Sequence, residues 1–171
     1  MGRFIKHIAF IAVAALLVGA VACDSEGCEG NQSSLPLAGF YSSQTKSEVS
    51  VDSLTVYGMG VAGDSAIIRN TVAQQVYLPL NLEDTLTRFV FRYERSDLVA
   101  AGITDTITIS YDKFPYFHSS DCGAMYNFNI HSYSATTNLI DSVRMPALLI
   151  DNANVENFQI YFRTQQEDSI E

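Results

Sequence analysis

The stretch FVFRY puts Phe89, Phe91 and Tyr93 on one side of an extended chain, with Arg88 and Arg92 on the other. A side-chain period of two is the mark of a half-buried strand, because successive side chains leave the backbone on opposite faces. The pattern recurs along the chain. Leu54 and Val56 oppose Ser53 and Thr55, and Ile107, Ile109 and Tyr111 oppose Thr106, Thr108 and Ser110. Tyr126, Phe128 and Ile130 oppose Asn127 and Asn129, and Phe158, Ile160 and Phe162 oppose Gln159 and Arg163. No stretch sustains a 3.6-residue period; Ser96 to Ala101 suits one helical turn.

An aspartate followed by Ser or Thr and β-branched residues punctuates these segments, as DSLTV at Asp52, DSAII at Asp64, DTLTRF at Asp84, DTITI at Asp105 and DSVRM at Asp141. The spacing is too irregular for a solenoid or propeller. The local reading is that each aspartate bonds its own following backbone in a turn, and that the residues after it suit a pleated strand. With FYSS, QQVYL, AMYNFNI and NFQIYF, this makes about nine strands. The expected fold is all-β, a two-sheet antiparallel sandwich of the immunoglobulin-like kind, with a closed β-barrel as the alternative.

The beginning of the chain follows another grammar. Arg3 and Lys6 precede an uncharged run from Ile8 to Val21, and Ala20-Val21-Ala22 is a small-x-small cleavage site. Residues 1–22 therefore read as a secretory signal peptide. The apolar run falls short of the ~20 residues a membrane-spanning helix needs. Residues 24–34, DSEGCEGNQSS, are a polar tether, and residues 35–171 form one expected domain.

Cys23 directly follows the cleavage site, and this placement resembles the lipid-bearing cysteine of a bacterial lipoprotein. Ala22 and Val21 suit the positions before it, while Ala20 stands where leucine is commonest. An ordinary signal peptidase could cut the same bond. Of three cysteines, lipidation of Cys23 leaves Cys28 and Cys122 as an even pair, expected to form a disulfide in an oxidising compartment. That bond would close a loop of roughly 95 residues, stabilising by about 4–5 kcal/mol in the chain-entropy model. It would also shorten the leash between lipid and domain, holding the domain close to its membrane. Zinc would need four ligands at compatible spacing; Cys28, Cys122, His118 and His131 contain no such pairs, and no metal or cofactor is expected.

The net charge of −9 opposes nucleic acid and anionic headgroups as partners. The densest chemistry lies in YDKFPYFHSSDCGAMYNF, residues 111–128. Ser119 or Ser120 with His118 and Asp121 would be the components of a hydrolase, but a triad is defined by geometry rather than by proximity in sequence. No nucleophile-elbow pattern is present. The plainer reading is a strand-turn-strand loop with Phe114 and Phe117 packed inward, and no catalytic residue is assigned. Exposed tyrosines can instead stack on sugars, which makes Tyr57 and Tyr161, with His118, candidate ligand-binding residues. DNANVEN, residues 151–157, offers oxygen ligands for calcium but lacks the EF-hand pattern.

The series DSLTVYG (52–58), LPLN (78–81), FVF (89–91), DTITISY (105–111), SSDCG (119–123), NLIDSV (138–143) and NFQIYF (157–162) resembles a family of small Bacteroidetes lipoproteins with a domain of unknown function. The resemblance implies a β-rich domain lipid-anchored in the cell envelope, and it brings no assigned activity. The expected function is a non-enzymatic outer-membrane lipoprotein that binds or scaffolds another envelope component. A glycan- or ligand-binding module is the alternative, and a hydrolase or a fimbria-like subunit is remoter. The expected partners are the membrane, through the N-terminal lipid, and an envelope protein or glycan.

Overall fold

In a computed structural model of the chain, residues 34–60, 65–119 and 123–163 are described. Among these residues ten strands run in order: β1 (Leu37–Ser42), β2 (Val51–Gly58), β3 (Ala66–Ala73), β4 (Gln75–Tyr77), β5 (Leu86–Tyr93), β6 (Thr104–Ser119), β7 (Gly123–Ala135), β8 (Ile140–Arg144), β9 (Leu149–Ile150) and β10 (Glu156–Phe162). One short helix, α1 (Ser96–Ala100), joins β5 to β6. Four strands form one sheet in the order β4-β1-β10-β8, and six form the other in the order β3-β2-β5-β6-β7-β9. This is the two-layer sandwich expected from the alternation, and the sheets do not close into one barrel. One pairing departs from the antiparallel expectation: β1 runs parallel to β10, in register from Ala38 opposite Phe158 to Ser42 opposite Phe162.

The apolar phase of each strand supplies the core. Leu54, Val56, Phe89, Phe91, Tyr93, Ile107, Ile109 and Tyr111 from the larger sheet meet Phe40, Ile140, Phe158, Ile160 and Phe162 from the smaller one, all buried. Edge-to-face rings join the layers. Phe40 meets Phe91 at 6.4 Å between centroids, and Tyr133 meets Phe158 at 6.5 Å. Such pairs add about 0.5–1.5 kcal/mol beyond the area they bury.

The β6–β7 hairpin outruns this core. β6 pairs with β5 only as far as Ser110, opposite Leu86, and β7 meets β9 only at Phe128 and Asn129. The register of the hairpin shifts between Ser110, opposite Ser132, and Tyr111, opposite Ile130. His131 is the extra residue of this bulge, which bends a strand and increases its twist. Just past it Tyr111, Phe128 and Ile130 are still buried in the core, but beyond Phe128 the hairpin loses β9 and continues as a two-stranded ribbon. Phe114 and Phe117 are exposed there, not packed inward as the sequence led one to expect.

Candidate functional site

Asp105 begins the apolar phase of β6, two residues before Ile107, and it is fully buried. Its carboxylate accepts five hydrogen bonds. Oδ1 takes the Thr136 hydroxyl and the Asn138 amide, both at 2.8 Å. Oδ2 takes the Tyr93 hydroxyl at 2.8 Å, the Leu139 amide at 2.8 Å and the Ile140 amide at 2.9 Å. Burial, and then the charge and hydrogen bond of Asp105, push the Tyr93 hydroxyl well above its ordinary pKa near 10, so it remains a donor.

The same connection between β7 and β8 is held from outside by a cation. Arg163 Nη1 donates to the carbonyls of Thr137, Asn138 and Ile140 at 2.6, 3.0 and 2.9 Å, while Nη2 pairs with Asp141 at 3.2 Å. Three consecutive amides of one turn thus meet an acid, and three of its carbonyls meet a base. Its backbone is accounted for without a helix or a ladder.

Leu139 of this turn, with Arg163 beside it, lines a cleft of about 490 Å³ at the end of the sandwich. Val49, Val51, Tyr93, Leu98, Leu139 and Phe162 give it an apolar lining, and Ser50, Asp52, Arg95 and Arg163 supply polar groups. Its size falls in the range of small-molecule sites, but it is half open to solvent and its exposed lining is as polar as it is apolar. Arg95 is already engaged, through Nε to Asp97 at 2.8 Å. The cleft therefore offers apolar contact beside polar groups whose charge is partly neutralised. Among the described residues, no group of three His, Cys, Asp or Glu side chains could hold a metal ion.

The residues singled out from the sequence do not converge on this cleft. Tyr161 lies on the outer face of the smaller sheet, its ring 5.6 Å from that of Tyr41 with Lys46 Nζ 4.7 Å from its centroid. Tyr41 donates to both oxygens of Glu156, at 3.0 and 2.8 Å, and Gln159 donates to Glu156 at 2.9 Å. Burial, and then Glu156, push the Tyr41 hydroxyl up to about 12. Tyr57 lies on the outer face of the larger sheet, where the Arg92 guanidinium sits 5.8 Å from its ring. The two tyrosines are on opposite surfaces and cannot serve one ligand. His118 falls near the end of β6, and its side chain lies outside the described residues, as do Cys23, Cys28 and Cys122.

A model of a family of unknown function, DUF6452, matches residues 53–162. The chain belongs to this family. The DUF6452 match runs from within β2 to the last residue of β10, so it contains Asp105 and the turn that Asp105 holds; β1 lies before it. No curated protein and no solved structure matches the chain.

The Asp105 hub went unrecognised in the sequence, although a signal was there. Asp105 occupies the same phase as Ile107, Ile109 and Tyr111, and an acid on the apolar phase of a strand must find internal donors. Its partners are Tyr93, Thr136 and the amides of Asn138, Leu139 and Ile140, so it does not act as a turn aspartate bonding its own following backbone, the role that the DTITI pattern suggests. That description suits Asp52 and Asp84, which accept from Ser53 and Thr85 at 2.7 Å.

Proposed function

We propose that this member of DUF6452 is a non-catalytic binding or scaffolding module of the cell envelope. Residues 1–22 export it, and a lipid on Cys23 holds it at the outer membrane. In this reading the end cleft receives an apolar group of another envelope component. The observation that carries it is the double clamp on the turn at residues 136–140. A lining residue fixed before binding, here Leu139, lowers the ordering cost of association. The reading is also supported by the state of Asp105, whose acceptor capacity is spent on structural donors.

Crosslinking mass spectrometry on intact cells tests it. The chain should yield a reproducible envelope partner, and Leu98→Trp, which fills the cleft, should abolish that crosslink while the protein stays folded and membrane-associated. A partner recovered equally well with the filled cleft would remove the cleft from the proposal; no partner at all would sink it.

A specific arrangement favours a second reading, glycan binding on the smaller sheet. Tyr41 and Tyr161 lie side by side with Glu156, Gln159 and Lys46 around them, combining stacking surfaces with hydrogen-bonding groups. Tyr161→Ala should weaken retention on an immobilised polysaccharide, whereas Tyr57→Ala, on the opposite sheet, should not. Equal retention of all three proteins, or none, removes this reading.

A further inference from the structure

The exposed end of the β6–β7 hairpin carries Phe114, Tyr116, Phe117 and Tyr126. Register puts them on both faces of the ribbon. Phe114 pairs with Asn127 and Tyr116 with Met125 on one face, while Tyr126 pairs with Pro115 on the other, in phase with Phe117. Across residues 114–130 the sequence contains one acid, Asp121, and no Lys, Arg or Glu, in a chain with 17% charged residues. Leu148 and Leu149, at the β9 edge, add exposed apolar surface beside the base of the ribbon.

The position of Ser34 relates this end to the rest of the chain. Ser34 is buried and donates its hydroxyl to Asn127 Oδ1 at 3.4 Å, and Asn127 is the cross-strand partner of Phe114. The chain therefore arrives at the domain beside the aromatic ribbon. Eleven steps along the chain lead from Cys23 to Ser34, a reach of at most about 40 Å at ~3.3–3.6 Å per residue. The cleft lies at the other end of the sandwich, where β5 finishes and β6 starts.

From the exposed aromatics and the place where the chain enters, we infer that the hairpin end is a membrane-contacting prong, seated in the headgroup region of the bilayer that anchors the N-terminus. This rests on the lipid-anchored reading proposed above and goes further, because it orients the domain. Tyr116 and Tyr126 have the polar-tipped rings that favour the interface between water and hydrocarbon, and Phe114 and Phe117 add apolar area beside them. A ribbon with aromatics on both faces suits a fluid layer that surrounds it, whereas a rigid partner would have to enclose both faces. The insertion is shallow: the outer edges of a two-stranded ribbon keep unpaired backbone groups, which the hydrocarbon core does not tolerate. The acidity of the chain makes a zwitterionic surface the better match. The cleft then faces away from the membrane, toward its partner.

The chain has no tryptophan, so one introduced tryptophan is a unique reporter. Phe117→Trp places it on the prong. Val72→Trp places it on β3 near the opposite end, and the two parent side chains are similarly exposed, at 67% and 60%. The full chain, reconstituted through its N-terminal segment into phosphatidylcholine vesicles with brominated acyl chains, is first tested for flotation. Both variants should float, and only the tryptophan at position 117 should shift its emission to the blue and lose intensity to bromine. Floating protein in which both positions behave alike overturns the prong and leaves the anchor standing. Protein that does not float overturns the anchor and the prong with it. A tryptophan at position 117 shielded in native envelopes but not in vesicles also overturns the inference, in favour of a protein partner.

Discussion

Tyr93 and Asp105 sit side by side on adjacent strands, and the tyrosine hydroxyl lies 2.8 Å from a carboxylate that water does not reach. Asp105→Asn keeps the shape but turns one acceptor oxygen into a donor facing amide and hydroxyl donors. Hydrogen bonds to charged groups are worth about 1.5–3 kcal/mol each, and a buried group left unsatisfied costs its desolvation as well. The expected loss is about 3 kcal/mol, or roughly 6–12 °C in melting temperature for a domain of this size. Tyr93→Phe leaves Asp105 four donors and should cost less, about 1–2 kcal/mol. Denaturant titration of both variants and the double mutant checks this, and Asp105→Asn costing no more than Tyr93→Phe would refute the hub.

Gly39 explains how Glu156 can lie across the neighbouring strand. A Cβ at position 39 would stand 1.9 Å from Glu156 Oε2 and 2.9 Å from its Cδ, so Gly39→Ala must push that carboxylate away from the Tyr41 hydroxyl. The consequence is readable in pH. The folded pKa of Tyr41, about 12, lies above its ordinary value near 10. Between those values the unfolded chain has lost the proton and the folded one keeps it. The associated stability is therefore complete below pH 10 and declines as pH rises toward 12. Gly39→Ala should lower the Tyr41 pKa and shrink its share of the alkaline decline, and Tyr41→Phe should remove that share while leaving the part due to Tyr93 and Tyr111, which are raised as well. Phenolate absorbance and thermal melts across this range are the measurements, and an unchanged alkaline profile in both variants would rule the linkage out.

Much of the fold could be read from alternation alone, because Phe89, Phe91 and Tyr93, or Phe158, Ile160 and Phe162, share one face wherever the strand pairs. What escaped depends on distant partners. Alternation puts Thr55 on the solvent phase, yet it is buried, since Glu94 accepts its hydroxyl and the Asn70 amide donates to it. Asp105 finds its donors more than thirty residues along the chain, which no local pattern records. Phe117 shares the phase of buried Tyr111 but lies beyond the core, whereas Phe114 takes the opposite phase and faces away from it. The cleft was invisible because its lining comes from β2, the end of β5, α1, the turn before β8 and the end of β10.

Arg163 predicts a division of labour at the turn. Lysine keeps the charge but lacks the planar fork, so Arg163→Lys cannot hold Asp141 on one nitrogen and the carbonyls of Thr137, Asn138 and Ile140 on another, and must free some of them. The freed carbonyls are close enough to solvent to be partly rehydrated, and the expected cost is about 1–2 kcal/mol. The amides of Asn138, Leu139 and Ile140 still have Asp105, so their protection from hydrogen exchange should largely persist. It should collapse in Asp105→Asn. Equal loss of protection in the two variants would mean that the clamps act as one unit.

The proposed bond between Cys28 and Cys122 gains a geometric argument from Ser34 and Asn127. These residues are in hydrogen-bond contact, with Cys28 six residues before Ser34 and Cys122 five before Asn127. Each intervening segment can span roughly 17–20 Å at ~3.3 Å per residue, so two sulfurs starting from one place can meet. The mature protein should then show no free thiol under non-reducing denaturation, and reduction should add two hydrogens to its mass. Cys28→Ser and Cys122→Ser should be equally destabilising, by up to about 4–5 kcal/mol for a loop of roughly 95 residues, and the double variant no worse than either alone. With the bond closed, five steps along the chain lead from Cys23 to Cys28, a leash of roughly 17 Å. That leash would hold the aromatic ribbon against the bilayer, so each single variant should also weaken the lipid quenching of a tryptophan at position 117. Two free thiols in the mature chain would restore the longer tether and leave the prong to hold its place by its own affinity.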